Sequence, residues 1–220
     1  MKIGIIADIH AQLDSLQKAL AIFEREGVEQ IVCAGDIVEK DIDGDAVVRL
    51  LQEKNIPSVR GNHDEAAVEN QRLLRKLMNA ELVQKTLSHL EQGNNHLKTP
   101  LLTNKSIDYL QKLPFELRFS WEGQDVLLLH GSPNSNTQYL TGNMPDSFLR
   151  HILEDVKADI IICGHSHSPM CREIDDMLLI NPGSVCKSGH RRESHTCGIL
   201  TIPEREFTVF SLDSSLSYPI

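Results

Sequence analysis

The sequence predicts an α/β fold, and three observations predict it. Apolar runs of strand length recur at residues 2–7, 31–34, 126–129 and 159–163. Amphipathic helical patterns separate the early runs, which is the alternation of a βαβ chain. The runs stop abruptly at polar clusters, where open α/β sheets place their sites. With 220 residues and no linker, repeat or sharp change of composition, a single domain over 1–220 is expected.

Residues 2–7 read as a buried strand. The chain then turns at Asp8-Ile9-His10 into a helix with Leu13, Leu16, Leu20 and Phe23 on one face and Gly27 placed to end it. Asp8 and His10 are two residues apart, so continued extended geometry would project both to one side of the strand end. The run at 31–34 stops at Gly35-Asp36. A second helix carries Ala46, Val47, Leu50 and Leu51, and a strand ending at 56–59 leads to Arg60-Gly61-Asn62-His63-Asp64. There Asn62 offers a metal a neutral oxygen while His63 points another way, so a ligand and a non-ligand catalytic group can sit side by side. Asp64 is placed to fix the His63 imidazole.

Residues 66–113 are helical and polar, with Leu73, Leu74, Leu77, Met78, Leu82 and Leu87 as packing positions. Asn104 is positioned to cap a further helix holding Ile107 and Leu110, ended by Pro114. A stretch this long between sheet elements predicts a helical, cap-like insertion over one rim of the site. Strand patterns resume at 117–121 and 126–129, the second ending at His130-Gly131 before a Ser132-Pro133-Asn134 turn. A helix over 145–156 leads into the strand at 159–163, which stops at Gly164-His165-Ser166-His167. Strands at 178–180, 198–202 and 207–212 follow, with Asn181-Pro182-Gly183-Ser184 as a turn. His89, His96 and His151 read as ordinary surface or core histidines.

A formal net charge of -9 argues against a polymeric nucleic acid partner, which needs clustered Lys and Arg. Five cysteines, Cys33, Cys163, Cys171, Cys186 and Cys197, are odd in number and lack CxxC spacing, so neither a disulfide framework nor a thiolate zinc site is expected. No run approaches the roughly 18 apolar residues that span a bilayer, and the opening run is too short for a signal h-region. A cytoplasmic protein without a membrane partner is expected, and the sequence leaves homo-oligomerisation open.

Five clusters thus stand in order: Asp8-x-His10, Gly35-Asp36, Gly61-Asn62-His63-Asp64, His130-Gly131 and Gly164-His165-x-His167. In residue type and order they resemble the signature blocks of the calcineurin-like metallophosphoesterase family, over residues 3 to about 185. The resemblance implies a four-layer α/β/β/α sandwich of two facing mixed sheets with outer helices, and two divalent metal ions at the strand ends. It implies that Asp8, His10 and His167 hold the first ion, that Asn62, His130 and His165 hold the second, and that Asp36 bridges both. It further implies hydrolysis of a small phosphodiester or phosphomonoester by a metal-bridging hydroxide. His63, oriented by Asp64, would then protonate the leaving oxygen.

Neutral His and Asn ligands keep such a pair of ions electrophilic, where four carboxylates would quench it. With no cysteine among the ligands, manganese, iron, nickel and zinc all fit. Gly61 and Gly164 are expected to let the backbone turn tightly. The block at 181–184 also resembles one in smaller bacterial-type relatives, except that Cys186 stands where another glycine is expected. After it come Lys187, His190, Arg191, Arg192 and His195, of which Lys187, Arg191 and Arg192 are candidates to receive the far end of a substrate. The same fold occurs in a retromer subunit that acts as an interaction scaffold, and a nuclease is a third reading. The intact ligand set and His63-Asp64 pair favour the enzyme, and the acidic balance disfavours the nuclease.

Overall fold

In the chain's computed structural model, the strand–helix alternation in the first part of the sequence becomes β1 (Lys2–Ile6), α1 (Leu13–Glu26), β2 (Gln30–Cys33) and α2 (Gly44–Glu53). The structure describes residues 1–77, 101–187, 194–214 and 216–219. Met78, Leu82, Leu87, His89, His96, His190, Arg191 and Arg192 lie outside the described residues. Two helices follow, α3 (Asn62–Leu77) and α4 (Asn104–Lys112), then β3 (Glu116–Trp121), β4 (Gln124–Leu129), α5 (Asp146–Leu153) and β5 (Ile160–Ile162). The last part is β6 (Met170–Ile174), β7 (Met177–Asn181), β8 (Thr196–Thr201), β9 (Glu206–Ser211) and β10 (Ser217–Pro219).

The strands form two mixed sheets. One has the order β10-β9-β8-β1-β2, with β1 parallel to β2 and antiparallel to β8. The other has the order β3-β4-β5-β7-β6, with β4, β5 and β7 parallel and both edges antiparallel. Side-chain alternation along β1 divides it between two cores. Ile3, Ile5 and Ala7 face the opposite sheet and pack with Val126, Leu128, Ile160 and Ile180. Ile6 faces the helices, joining Leu16, Phe23, Val47, Leu51 and Leu110. A third cluster joins Leu149 and Leu153 of α5 to Leu127, Ile161 and Leu179. Three apolar seams between helix, sheet, sheet and helix make the four-layer sandwich, each fully buried aliphatic side chain contributing about 1.5–3 kcal/mol.

The ends of α1 and α4 show how local chemistry sets boundaries. Gly27, at φ 70°, ends α1 with its N–H donating to Glu24 O. Thr103, not Asn104, caps α4: its side chain accepts from Ser106 N at 3.3 Å, and Asn104 is the first helical residue. The expected strand at 56–59 reduces to one bridge between Ser58 and Cys33, because Pro57 has no N–H to extend the ladder along β2. The α3 helix starts at Asn62, ahead of the expected start of the insertion. Leu102, Ile107, Leu110 and Leu113, from its far end, belong to the helical layer over the first sheet. Among the described residues no helix is long and apolar enough to cross a membrane.

Candidate metal centre

The site lies where the loops after β1, β2, β4 and β5 meet the first turn of α3. The loops after β1 and β2 are zipped together: Asp8 N donates to Gly35 O (3.0 Å), His10 N to Asp36 O (3.0 Å) and Ala11 N to Ile37 O (2.9 Å). This zipper holds unusual backbone. Asp8, His10, Asp36, His165 and His167 all have φ between 49° and 65°, a region that costs a non-glycine residue about 1–3 kcal/mol and gathers at functional sites. Asp8 and His10 therefore do not share a side through extended geometry, since β1 ends at Ile6. Two left-handed residues bring them to the same place instead.

Close approach, rather than a tight turn, explains Gly61 and Gly164, neither of which has positive φ. A Cβ on Gly61 would stand 2.1 Å from Asp36 Oδ1 and 2.3 Å from Asp36 N. One on Gly164 would meet Ala7 Cβ at 3.0 Å and Asp8 Oδ2 at 3.2 Å. The block at 181–184 braces the loops from behind, with Asn181 Nδ2 donating to Gly164 O (2.6 Å) and Ser184 Oγ to Asp8 O (3.0 Å). Cys186 is buried there, its N–H donating to Asp8 O at 2.9 Å.

Two ligand groups result. Asp8, His10, Asp36 and His167 offer ligand atoms within 4.8 Å of one another, and so do Asp36, His130 and His165. Asp36 belongs to both, with Oδ2 3.7 Å from His10 Nε2 and Oδ1 3.3 Å from His130 Nε2. Asn62 joins the second group, its Oδ1 3.0 Å from His130 Nε2. His10 Nε2 and His167 Nε2 face each other at 3.2 Å.

These residues fit divalent cations. Asp8 Oδ1 and Asp36 Oδ2 are buried without a hydrogen-bond partner, which is costly for a carboxylate unless a cation compensates. Outer contacts also choose the free imidazole nitrogens. His130 Nδ1 lies 2.7 Å from Ala34 O and so carries the proton, leaving Nε2 as a donor to metal. His165 Nε2 lies 3.0 Å from Thr137 O, leaving Nδ1 free. Tyr139 stacks on the His165 ring at 4.1 Å between centroids.

Burial pushes His10 down to about 2 and lowers His165 as well, so both present neutral imidazoles. Burial also disfavours charge on His130, but the Asp36 carboxylate outweighs it and lifts His130 to about 9. Burial raises the Asp36 carboxyl, yet the surrounding imidazoles, His130 foremost, bring it below its usual range. Without a metal, the Asp36–His130 pair is thus held as an ion pair. A cation on His130 Nε2 would replace its proton.

His63 lies outside both groups. Its backbone N–H donates to Asp36 Oδ1 (2.9 Å), and its ring meets that of His10 edge-on at 4.8 Å. Its orienting partner is not Asp64. Asp64 is fully buried and accepts from the backbone N–H groups of Ile37 (2.8 Å), Val38 (3.1 Å) and Gly61 (2.9 Å), which ties the Asp36 loop to the start of α3. Burial, and then the Asp36 charge, push Asp64 up to about 7, against the pull of those N–H groups. Glu39 makes the contact expected of Asp64, its Oε2 2.7 Å from His63 Nδ1, and this contact raises the His63 pKa. Glu39 escaped the sequence reading, although its place three residues after Asp36, on the same zipped loop, is a usable signal. The carbonyls of Ala34 and Thr137 left no signal at all.

Of the basic candidates, Lys187 directs Nζ to Asp213 at 2.5 Å and binds Gln12 through its backbone. His195 reaches Ser15 Oγ at 3.0 Å. His151 is exposed and lies 3.5 Å from Glu154, as befits an ordinary surface histidine.

A four-layer sandwich with buried Asp and His groups at the strand ends is the architecture of the metallophosphoesterase fold. The chain belongs to the calcineurin-like phosphoesterase superfamily, whose domain model matches residues 1–205. It is 25% identical over 215 residues to a phosphodiesterase of Methanocaldococcus jannaschii, covering 97% of this chain and 100% of that one. Among solved structures, a metallophosphoesterase from Sphaerobacter thermophilus matches with TM-score 0.66 and 24% identity, over 95% of this chain and 87% of that one. Vps29 of Chaetomium thermophilum also matches, with TM-score 0.56 and 16% identity, over 100% of this chain and 85% of that one. These structural likenesses show the fold alone.

Proposed function

We propose that this chain hydrolyses a small phosphodiester or phosphomonoester with two divalent cations, one held by Asp8, His10 and His167, the other by Asn62, His130 and His165. The observation that carries this reading is Asp36, the one carboxylate common to both ligand groups. When bound, such ions polarise the phosphoryl oxygens and lower the pKa of a water between them. Asp36 would hold the two positions at a fixed spacing. The zipped loops keep the ligands in place before substrate arrives, so little reorganisation accompanies the reaction. His63, its pKa raised by the contact with Glu39, would give its proton to the departing oxygen. That pair favours an enzyme over a scaffold, because simple ion binding uses neither residue.

The test is metal analysis beside initial rates on p-nitrophenyl phosphate and bis-p-nitrophenyl phosphate. After reconstitution with manganese, about two ions per chain and manganese-dependent release of p-nitrophenolate are expected. Asp36→Asn should lower occupancy at both positions, and His165→Ala chiefly at one. Under one ion per chain in the wild type would sink the two-ion reading.

A further inference from the structure

A cavity of about 470 Å³ adjoins the centre on its His130 side, walled by Glu65 on the first turn of α3, by Phe115 and Glu116, and by Asn134 and Asn136 after β4. Its volume falls in the range of small-ligand sites, about 300–1,000 Å³. The loop wall is fixed by its own bonds. Ser132 Oγ donates to Gln138 Oε1 (2.6 Å), Ser132 and Ser135 exchange backbone hydrogen bonds (2.8 and 3.2 Å), and Asn136 Nδ2 donates to Glu65 Oε2 (3.0 Å). A ligand entering beside His130 would meet a wall already in place, which lowers the ordering cost of binding.

Its charge is one-sided. Among the described residues, the charged side chains lining it besides His130 are the carboxylates of Glu65 and Glu116, with no Lys or Arg. The nearby guanidinium groups do not line it. Arg60 lies over the Phe115 ring at 4.3 Å with Nη1 toward Gln111 O. Arg118 passes 3.9 Å from Glu116, but donates to Lys157 O (2.7 Å) and Asp125 (3.4 Å). A second phosphate here would face two carboxylates, of which, among the described residues, only Glu116 has an arginine within 4 Å. An ammonium group would find the acceptor oxygens of Glu65, Glu116 and Asn134, beside a Phe115 ring that Arg60 covers on one face.

Resting on the phosphoesterase reading above, we propose that this cavity receives the alcohol portion of the substrate and selects an ammonium-bearing alcohol. The substrate class is then a phosphoester of an amino or quaternary-ammonium alcohol.

The test uses ester pairs that differ only in that charge, assayed with the manganese-loaded protein. One pair is p-nitrophenyl phosphocholine and 3,3-dimethylbutyl p-nitrophenyl phosphate. The other is phosphocholine and 3,3-dimethylbutyl phosphate, with p-nitrophenyl phosphate and its bis ester as references. In at least one pair kcat/KM should favour the cationic member by about fivefold at low salt, the scale of one or two partly exposed ion contacts. High salt should shrink that preference, because both carboxylates are exposed. Glu65→Gln/Glu116→Gln should bring it within about twofold, and Glu65→Gln alone should lower it part of the way. Parity in both pairs, with the reference esters still turned over, overturns the cavity assignment and leaves the phosphoesterase reading standing. A preference undiminished in the variants overturns the assignment as well. Failure to hydrolyse any of these esters overturns the phosphoesterase reading, and this inference with it.

Discussion

His63 touches the centre through Asp36 and His10 while its Nδ1 is held by Glu39, and under the proposed hydrolysis it is the group placed to transfer a proton. Protonating a leaving oxygen typically contributes about 10² to 10⁴ in rate, and more for a poorer leaving group. An alkoxide leaves badly without a proton, whereas p-nitrophenolate is stable near neutral pH. His63→Ala should therefore slow an alkyl phosphoester by about 10² to 10⁴ and a p-nitrophenyl ester far less, with metal content by elemental analysis nearly unchanged. Equal slowing of both would make His63 a phosphate-positioning group. Glu39 adds a pH dependence. It raises the His63 pKa, so the acid form persists to higher pH and is lost as pH climbs through the raised value. Glu39→Gln should move the alkaline limb of kcat on an alkyl ester to lower pH, and a stationary limb would assign it to another group. The roles of these neighbours were only half legible in the sequence. Asp64 is adjacent to His63, but successive residues on a helix point about 100° apart. Asp64 therefore turns inward to backbone N–H groups, and Glu39 arrives from another loop.

At the scale of elements, the sequence reads best where pattern and local chemistry agree. The α1 helix has its apolar face, and Gly27 where the stop belongs; β4 and β5 are nearly continuous apolar runs because both faces are covered. The edges are harder. In β6, Arg172 and Glu173 interrupt the apolar signal and pairing comes from one side only, and β10 is three residues long. The cap of α4 was misplaced by one residue, since Thr103 and Asn104 are both good caps and the choice lies in tertiary structure. Thr103 Oγ1 donates to Asp45 Oδ1 at 2.8 Å, Thr103 N donates to the same oxygen at 3.0 Å, and Ser106 Oγ also bonds Asp45, so α4 is tied to the first turn of α2. Thr103→Ala should cost about 0.5–2 kcal/mol. In a domain of this size that is a fall in Tm of about 1–8 °C by calorimetry. Thr103→Ser should retain most of the stability. A Tm unchanged in Thr103→Ala would mean that Asp45 holds the helix start without this side chain.

At the scale of the molecule, the centre is a joint between the two sheets. Asp8, His10 and Asp36 follow strands of one sheet, and His130, His165 and His167 follow strands of the other. Elsewhere the sheets meet through apolar side chains, but here they meet through unlike ligands that a cation would tie together. A cation bound to this arrangement and not to the unfolded chain stabilises the fold by mass action, about 2.7 kcal/mol at a free concentration one hundred times its Kd. For about 200 residues, at 2–4 °C per kcal/mol, manganese at that excess should raise Tm by about 5–11 °C over the EDTA-treated protein. Asp36→Asn should abolish most of the rise, because Asp36 is the carboxylate shared by the two groups. His165→Ala should leave a larger part, because the group containing Asp8, His10 and His167 is intact. The same scans would show whether the sheets separate without the ions. If EDTA left Tm unchanged while elemental analysis found manganese bound, folded and unfolded chains would bind it equally, and the apolar seam alone would hold the sheets together.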